Sequence, residues 1–169
     1  RVLFRSGSGE DGNMSGSITI SGNAQVTAGS GWDGAGIGAG ESDDDPPKSE
    51  MSGTITIGGN AKVTAWSEDS GAGIGAGEDG DVSGTIIIGG SAQVTAGSDD
   101  DGAGIGAGTY GSITSTGRII LRDSAKVTAI GEDEGTGIGA GDDGHMAGLI
   151  IIQDNAQVTA IAGDRSAAR

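Results

Sequence analysis

Carboxylates are the residues of this chain whose type and spacing come closest to chemistry. One set recurs as Glu68-Asp69, Asp99-Asp100-Asp101 and Glu132-Asp133-Glu134; a second as Asp43-Asp44-Asp45, Glu78-Asp79-Gly80-Asp81 and Asp142-Asp143. Carboxylates stacked at the spacing of neighbouring strands, about 5 Å, repel one another unless a cation lies between them. Calcium suits such a place, because it takes several oxygen ligands in a loose geometry. Asp99, Asp100, Asp101, Glu132, Asp133, Glu134, Glu78, Asp79 and Asp81 are therefore the candidate metal ligands, with calcium the one candidate cofactor. The signal is compositional, since neither an EF-hand spacing nor a GGxGxD repeat is present. Two such carboxylates could also act as general acid and base. They fall in variable loops, however, and no basic cluster stands ready for an acidic substrate. His145, the single histidine, lacks a base–nucleophile arrangement and reads as a loop residue. No strand-to-helix context supports a dinucleotide-binding reading of the glycines. A non-enzymatic protein is expected.

Two further residue types bear on binding. Trp32 and Trp66 are read as lying in one loop ridge of adjacent repeats, where exposed indoles could stack on sugar rings. They are the candidate ligand-binding residues, with polysaccharide the candidate partner. A net charge of −15 argues against nucleic acid and anionic membranes as partners. No apolar run reaches membrane-spanning length. Cysteine is absent, which excludes a disulfide framework and thiolate metal sites.

The elements that would position these residues are set by repetition. GAGIGAG stands at Gly34–Gly40, Gly71–Gly77 and Gly102–Gly108, and as GTGIGAG at Gly135–Gly141. Between the copies runs a two-part phrase: SITISGNAQVTA, TITIGGNAKVTA, TIIIGGSAQVTA, RIILRDSAKVTA and LIIIQDNAQVTA. Its valines, Val26, Val63, Val94, Val127 and Val158, are spaced by 37, 31, 33 and 31 residues. The long first step reflects an insertion marked by Pro46 and Pro47. With 37 glycines and 2% aromatics among 169 residues, the core must come from Ala, Val and Ile. Glycine at other than every third position, accompanied by regular apolar residues, fits a repeat solenoid rather than collagen or disorder.

Each repeat holds three stretches that alternate with period 2, the mark of strands. The expected fold is all-β: a parallel β-helix of about five coils, each of three short strands, one coil per repeat of about 31 residues. Residues 1–16 read as a degenerate part-coil or cap, 17–160 as the solenoid and 161–169 as a tail. Alternation points Ile18/Ile20, Ala24/Val26/Ala28 and Ala35/Ile37/Ala39, with their equivalents, inward. Asn23, Asn60, Ser91, Ser124 and Asn155 would close the turn between the first two strands and stack as a ladder.

The same alternation assigns outward faces. The second strand shows a threonine column, Thr27, Thr64, Thr95, Thr128 and Thr159, beside Gln25, Lys62, Gln93, Lys126 and Gln157. Ice binding is a minor reading of that column, because the second file is Gln/Lys rather than Thr. The first strand shows Ile87, Ile120 and Ile151 with Leu149 alongside, an apolar column expected to be covered by a partner or by the chain itself. The third strand shows glycine alone: Gly36, Gly38, Gly73, Gly75, Gly104, Gly106, Gly137 and Gly139. A strip without side chains would let another sheet approach closely. These glycine and isoleucine positions are the candidate self-association residues.

The ITI-GN-VTA phrase followed by GAGIGAG, from about Ser8 to Ala160, resembles the Gly-rich repeats of large bacterial cell-surface, adhesin-like proteins. The resemblance implies an extracellular setting and a stalk or adhesive role, and carries no ligand site over. The leading expectation is a structural or adhesive, self-associating β-solenoid. The ends, one with a third-strand remnant and the other stopping after a second strand, suggest head-to-tail stacking or a place within a longer array. The alternative expectation is a calcium-assisted polysaccharide-binding module.

Overall fold

The computed structural model describes residues 2–4, 6–7, 12–42 and 48–164. Asp43, Asp44, Asp45, Pro46 and Pro47, with part of the N-terminal segment and residues 165–169, lie outside the described residues. The chain winds as a parallel β-solenoid with no helix among the described residues. The first sheet stacks Ser17–Ile20, Thr54–Ile57, Thr85–Ile88, Arg118–Leu121 and Leu149–Ile152. The second stacks Val2–Phe4, Gln25–Ser30, Lys62–Ser67, Gln93–Ser98, Lys126–Gly131 and Gln157–Ile161. The third, only two residues wide, stacks Ser6–Gly7, Ile37–Gly38, Ile74–Gly75, Ile105–Gly106 and Ile138–Gly139.

Every strand pairs with its equivalent one repeat away, residue on equivalent residue: Ile55 on Ile86, Val63 on Val94, Ile74 on Ile105. Four coils contain all three strands. A part-coil lies at each end: Val2–Phe4 and Ser6–Gly7 pair with the second and third strands of the first full coil, and the last described coil has only a first and a second strand. Where about five coils are expected, the described residues make four complete coils and a part-coil at each end.

The inward faces form one aliphatic core. Ile55, Ile57, Ile86, Ile88, Ile119 and Leu121 are fully buried, as are Ala65, Ala96, Ile74 and Ile105. Burying each isoleucine contributes about 1.5–3 kcal/mol, which offsets chain entropy only when coils lie on both sides. A fourth, short column adds to the three expected from the sequence. Met14, Met51, Val82, Ile113 and Met146 stack just before the first strand, through the pairing of Glu50–Met51 with Asp81–Val82 and single bridges beyond. Its apolar residue occurs once per repeat, too sparsely for any alternation to announce it.

The turn between first and second strands also differs in one respect. The left-handed backbone falls one residue before the expected Asn/Ser, at Gly22, Gly59, Gly90, Asp123 and Asp154. A side chain at Gly59 would run into the backbone of Gly22. Of the expected ladder, Asn60 Nδ2 donates to Asn23 Oδ1 at 3.2 Å. In the later coils aspartates take over: Gly90 N donates to Asp123 Oδ2 at 2.8 Å, and Asp123 N to Asp154 Oδ2 at 3.1 Å.

Candidate functional site

The glycine strip is buried, which corrects its assignment as an open association face. Gly36, Gly38, Gly73, Gly75, Gly104, Gly106, Gly137 and Gly139 all lie inside the molecule. The outward side of Gly36, Gly73, Gly104 and Gly137 is roofed by the ends of the second-sheet strands of the following coil, while a Cβ on Gly38, Gly75 or Gly106 would meet the third-sheet strand of that coil. A Cβ on Gly36 would stand 2.7 Å from Trp66 O and 2.8 Å from Trp66 N, and one on Gly73 would meet Gly97 N and O at 2.5 and 2.7 Å. Gly104 meets Ile130 in the same way, and Gly137 meets Ile161. Gly38, Gly75, Gly106 and Gly139 also adopt φ between 141° and 148°, which side chains rarely tolerate. Glycine is there so that two strands of one chain can touch backbone to backbone. The reversal between them is tied by buried hydroxyls: Ser98 Oγ donates to Asp69 O at 2.8 Å, and Ser67 Oγ lies 3.1 Å from the carbonyls of Trp32 and Gly34.

That reversal also brings the two carboxylate sets together. The loop after the third strand lies along the loop after the second: Glu78 N donates to Asp33 O at 2.8 Å, and Asp142 N to Asp101 O at 2.9 Å. The two expected ridges are one. At its centre Asp100, Asp101 and Asp133 bring carboxylate oxygens within 4.8 Å of one another. Burial, then the charges of Asp101, Asp69 and Asp133 and a hydrogen bond with Asp133, push Asp100 up to about 6. Glu78 rises to about 7, first by burial, then by the charge of Asp33 and a hydrogen bond with it, and then by Asp79 and Asp69. Asp33, a lone carboxylate between Trp32 and Gly34, belongs to no acidic run, so residue spacing does not single it out.

The remaining candidate ligands are distributed differently. Asp79 pairs with Lys48 at 3.1 Å, and Asp81 Oδ1 accepts from Ser112 N at 3.0 Å. Asp99 accepts from the indole of Trp66, and Asp101 Oδ1 accepts from Glu134 N at 3.1 Å. Glu132 is exposed, and its backbone N donates to Ser98 O. Three converging carboxylates would give calcium part of its oxygen shell, with solvent supplying the rest. His145 is exposed in a loop.

The two tryptophans do not form one ridge. Trp32 lies in a loop, 74% exposed. Trp66 is a strand residue paired with Gly29 and Gly97, and its half-buried ring lies where a Gly97 side chain would be. It therefore belongs to the outward face of the second sheet, two residues beyond Thr64. That face carries a groove of about 510 Å³ across four coils, lined by Gln25, Thr27, Lys62, Thr64, Gln93, Thr95, Lys126 and Thr128, with Val26, Val63 and Val94. On the first sheet, Ile87, Ile120 and Ile151 are half-buried and stacked on one another, while Leu149 is 52% exposed beside them.

At the last described coil the core itself comes to the surface. Ile150 and Ile152 are 38% and 53% exposed, whereas Ile119 and Leu121, their equivalents one coil earlier, are fully buried. Compared with protein-family profiles, curated proteins and solved structures, the chain gives no match.

Proposed function

We propose that this chain is a non-catalytic structural segment, a rod that lengthens by stacking coil on coil and associates with further coils at its ends. The observation that carries this reading is the register. Each coil presents to the next the same strands and the same inward side chains, so any coil surface is a template for another. Ile150 and Ile152 mark such a surface, since one more coil would bury them as Ile119 and Leu121 are buried. The added coil can come from further repeats of the same polypeptide or from a second copy. The resemblance of the repeat phrases supports an extracellular, cell-surface setting for such a rod. Sedimentation and negative-stain microscopy over a concentration series test the association. Rods that lengthen with concentration and shorten with Ile152→Lys are expected. A monomer at every concentration would overturn self-association.

A second reading, cation binding on the acidic ridge, is favoured by the convergence of Asp100, Asp101 and Asp133. Calorimetric titration with calcium should show saturable binding that Asp100→Asn/Asp133→Asn removes. Heat no different from dilution would end that reading.

A further inference from the structure

The groove on the outward face of the second sheet stands apart from the rest of the surface in charge. The chain has 24 acidic residues and nine lysines and arginines, yet among the described residues lining this groove none is acidic and two are lysines. Neither Lys62 nor Lys126 forms an ion pair among the described residues. The acidic ridge begins after the far end of the same strands, at Glu68, Asp99 and Glu132, six residues on from Lys62, Gln93 and Lys126 and so about 20 Å away along an extended chain; Asp99 there accepts from the Trp66 indole. The nearest carboxylates on the other side, in the preceding turn, include Asp123, which is held by Gly90 N and lies 3.8 Å from Arg122.

The groove also has a period. Gln25, Lys62, Gln93, Lys126 and Gln157 pair in that order up the sheet. Lysine therefore recurs at every second coil, about 10 Å apart, with a glutamine between. Beside it run the threonine hydroxyls, and beyond Thr64 the Trp66 ring fills the place of a Gly97 side chain, its indole N–H donating to Asp99. Hydroxyls and amides offer both donors and acceptors, as sugar hydroxyls require. The Trp66 indole, its one N–H already given to Asp99, offers an apolar ring.

We propose that this face binds a linear anionic polysaccharide lying along the solenoid axis, with one acidic group per disaccharide. Lys62 and Lys126 each take one acidic group, Gln93 takes the neutral sugar between them, and the threonine file bonds the ring hydroxyls. This is a different surface from the coil ends that carry association, so either can fail without the other.

The test is titration of the full 169-residue chain with a hyaluronan decasaccharide, in parallel with neutral chitohexaose and single-stranded oligo-dT. Lys62→Gln/Lys126→Gln is the decisive variant, because the chain itself places Gln at the same position in other coils and the fold is kept. The hyaluronan oligosaccharide should bind, the double variant should weaken it by about tenfold or more, and Arg122→Ala should leave it unchanged. Absence of hyaluronan binding, or binding indifferent to the double variant, would overturn the proposal. Equal binding of chitohexaose would overturn the anionic assignment, and equal binding of oligo-dT would overturn the glycan assignment.

Discussion

Single residues divide here into those held by backbone contact and those held by charge. Gly75 combines a φ of 141° with a collision between any Cβ and the Gly106 carbonyl. Gly75→Ala should therefore destabilise the protein by about 3 kcal/mol or more, read as a fall in the thermal or urea midpoint. By contrast Gly58, with open space where its Cβ would stand, should accept Ala with little change. Glu78 and Asp100 are the charge-controlled residues. Both are acids whose folded-state pKa lies above its ordinary value, 4.5 and 3.8 respectively. The folded state thus holds protons that the unfolded chain releases, so stability falls as pH rises from 3.8 towards about 7. Melting at pH 8 should come earlier than at pH 5. Glu78→Gln should raise the melting temperature at pH 8 and change it little at pH 5. Equal melting of wild type and variant at both values would contradict this account.

At the scale of the strand, the position of a coil in the stack decides what its side chains contribute. Ile88 and Ile152 occupy the same place in their coils, but one is fully buried and the other 53% exposed. Ile88→Ala should cost about 2–5 kcal/mol, through lost transfer energy and a cavity between two coils. Ile152→Ala should cost about 1 kcal/mol or less, because half of that surface is already in water. Equilibrium unfolding in urea separates the two. The outward Ile87–Ile120–Ile151 file is half-buried by its own stacking. Ile120→Lys should leave the circular dichroism spectrum intact and reduce association in sedimentation; unchanged sedimentation would exclude this file from association.

Across the whole molecule, charge is sorted by side. Carboxylates gather where the loops after the second and third strands run together, while the groove at the start of the second strands carries lysine and, among the described residues, no acid. With a net charge of −15, the compact state is opposed by self-repulsion concentrated on the ridge. Calcium at neutral pH should raise the melting temperature more than an equal ionic strength of sodium chloride. A response identical to that of sodium would mean that the ridge is screened rather than occupied.

The sequence by itself determined the fold class, the inward faces and the outward columns. It could do so because strands in register place like residues on like, and period-2 alternation then has one buried solution. Val26 to Val158 and Thr27 to Thr159 stand in columns for that reason. Only the tertiary structure decided what lies over each face. Whether a glycine strip is open or roofed depends on how sharply the chain reverses between Ser30 and Gly34, and the alternation pattern is the same in both cases. The same reversal merged two acidic runs into one ridge, brought Asp33 to Glu78 and placed Trp66 on the strand face rather than beside Trp32. These are contacts between segments a coil apart, set by backbone approach, and no local spacing of residue types records them.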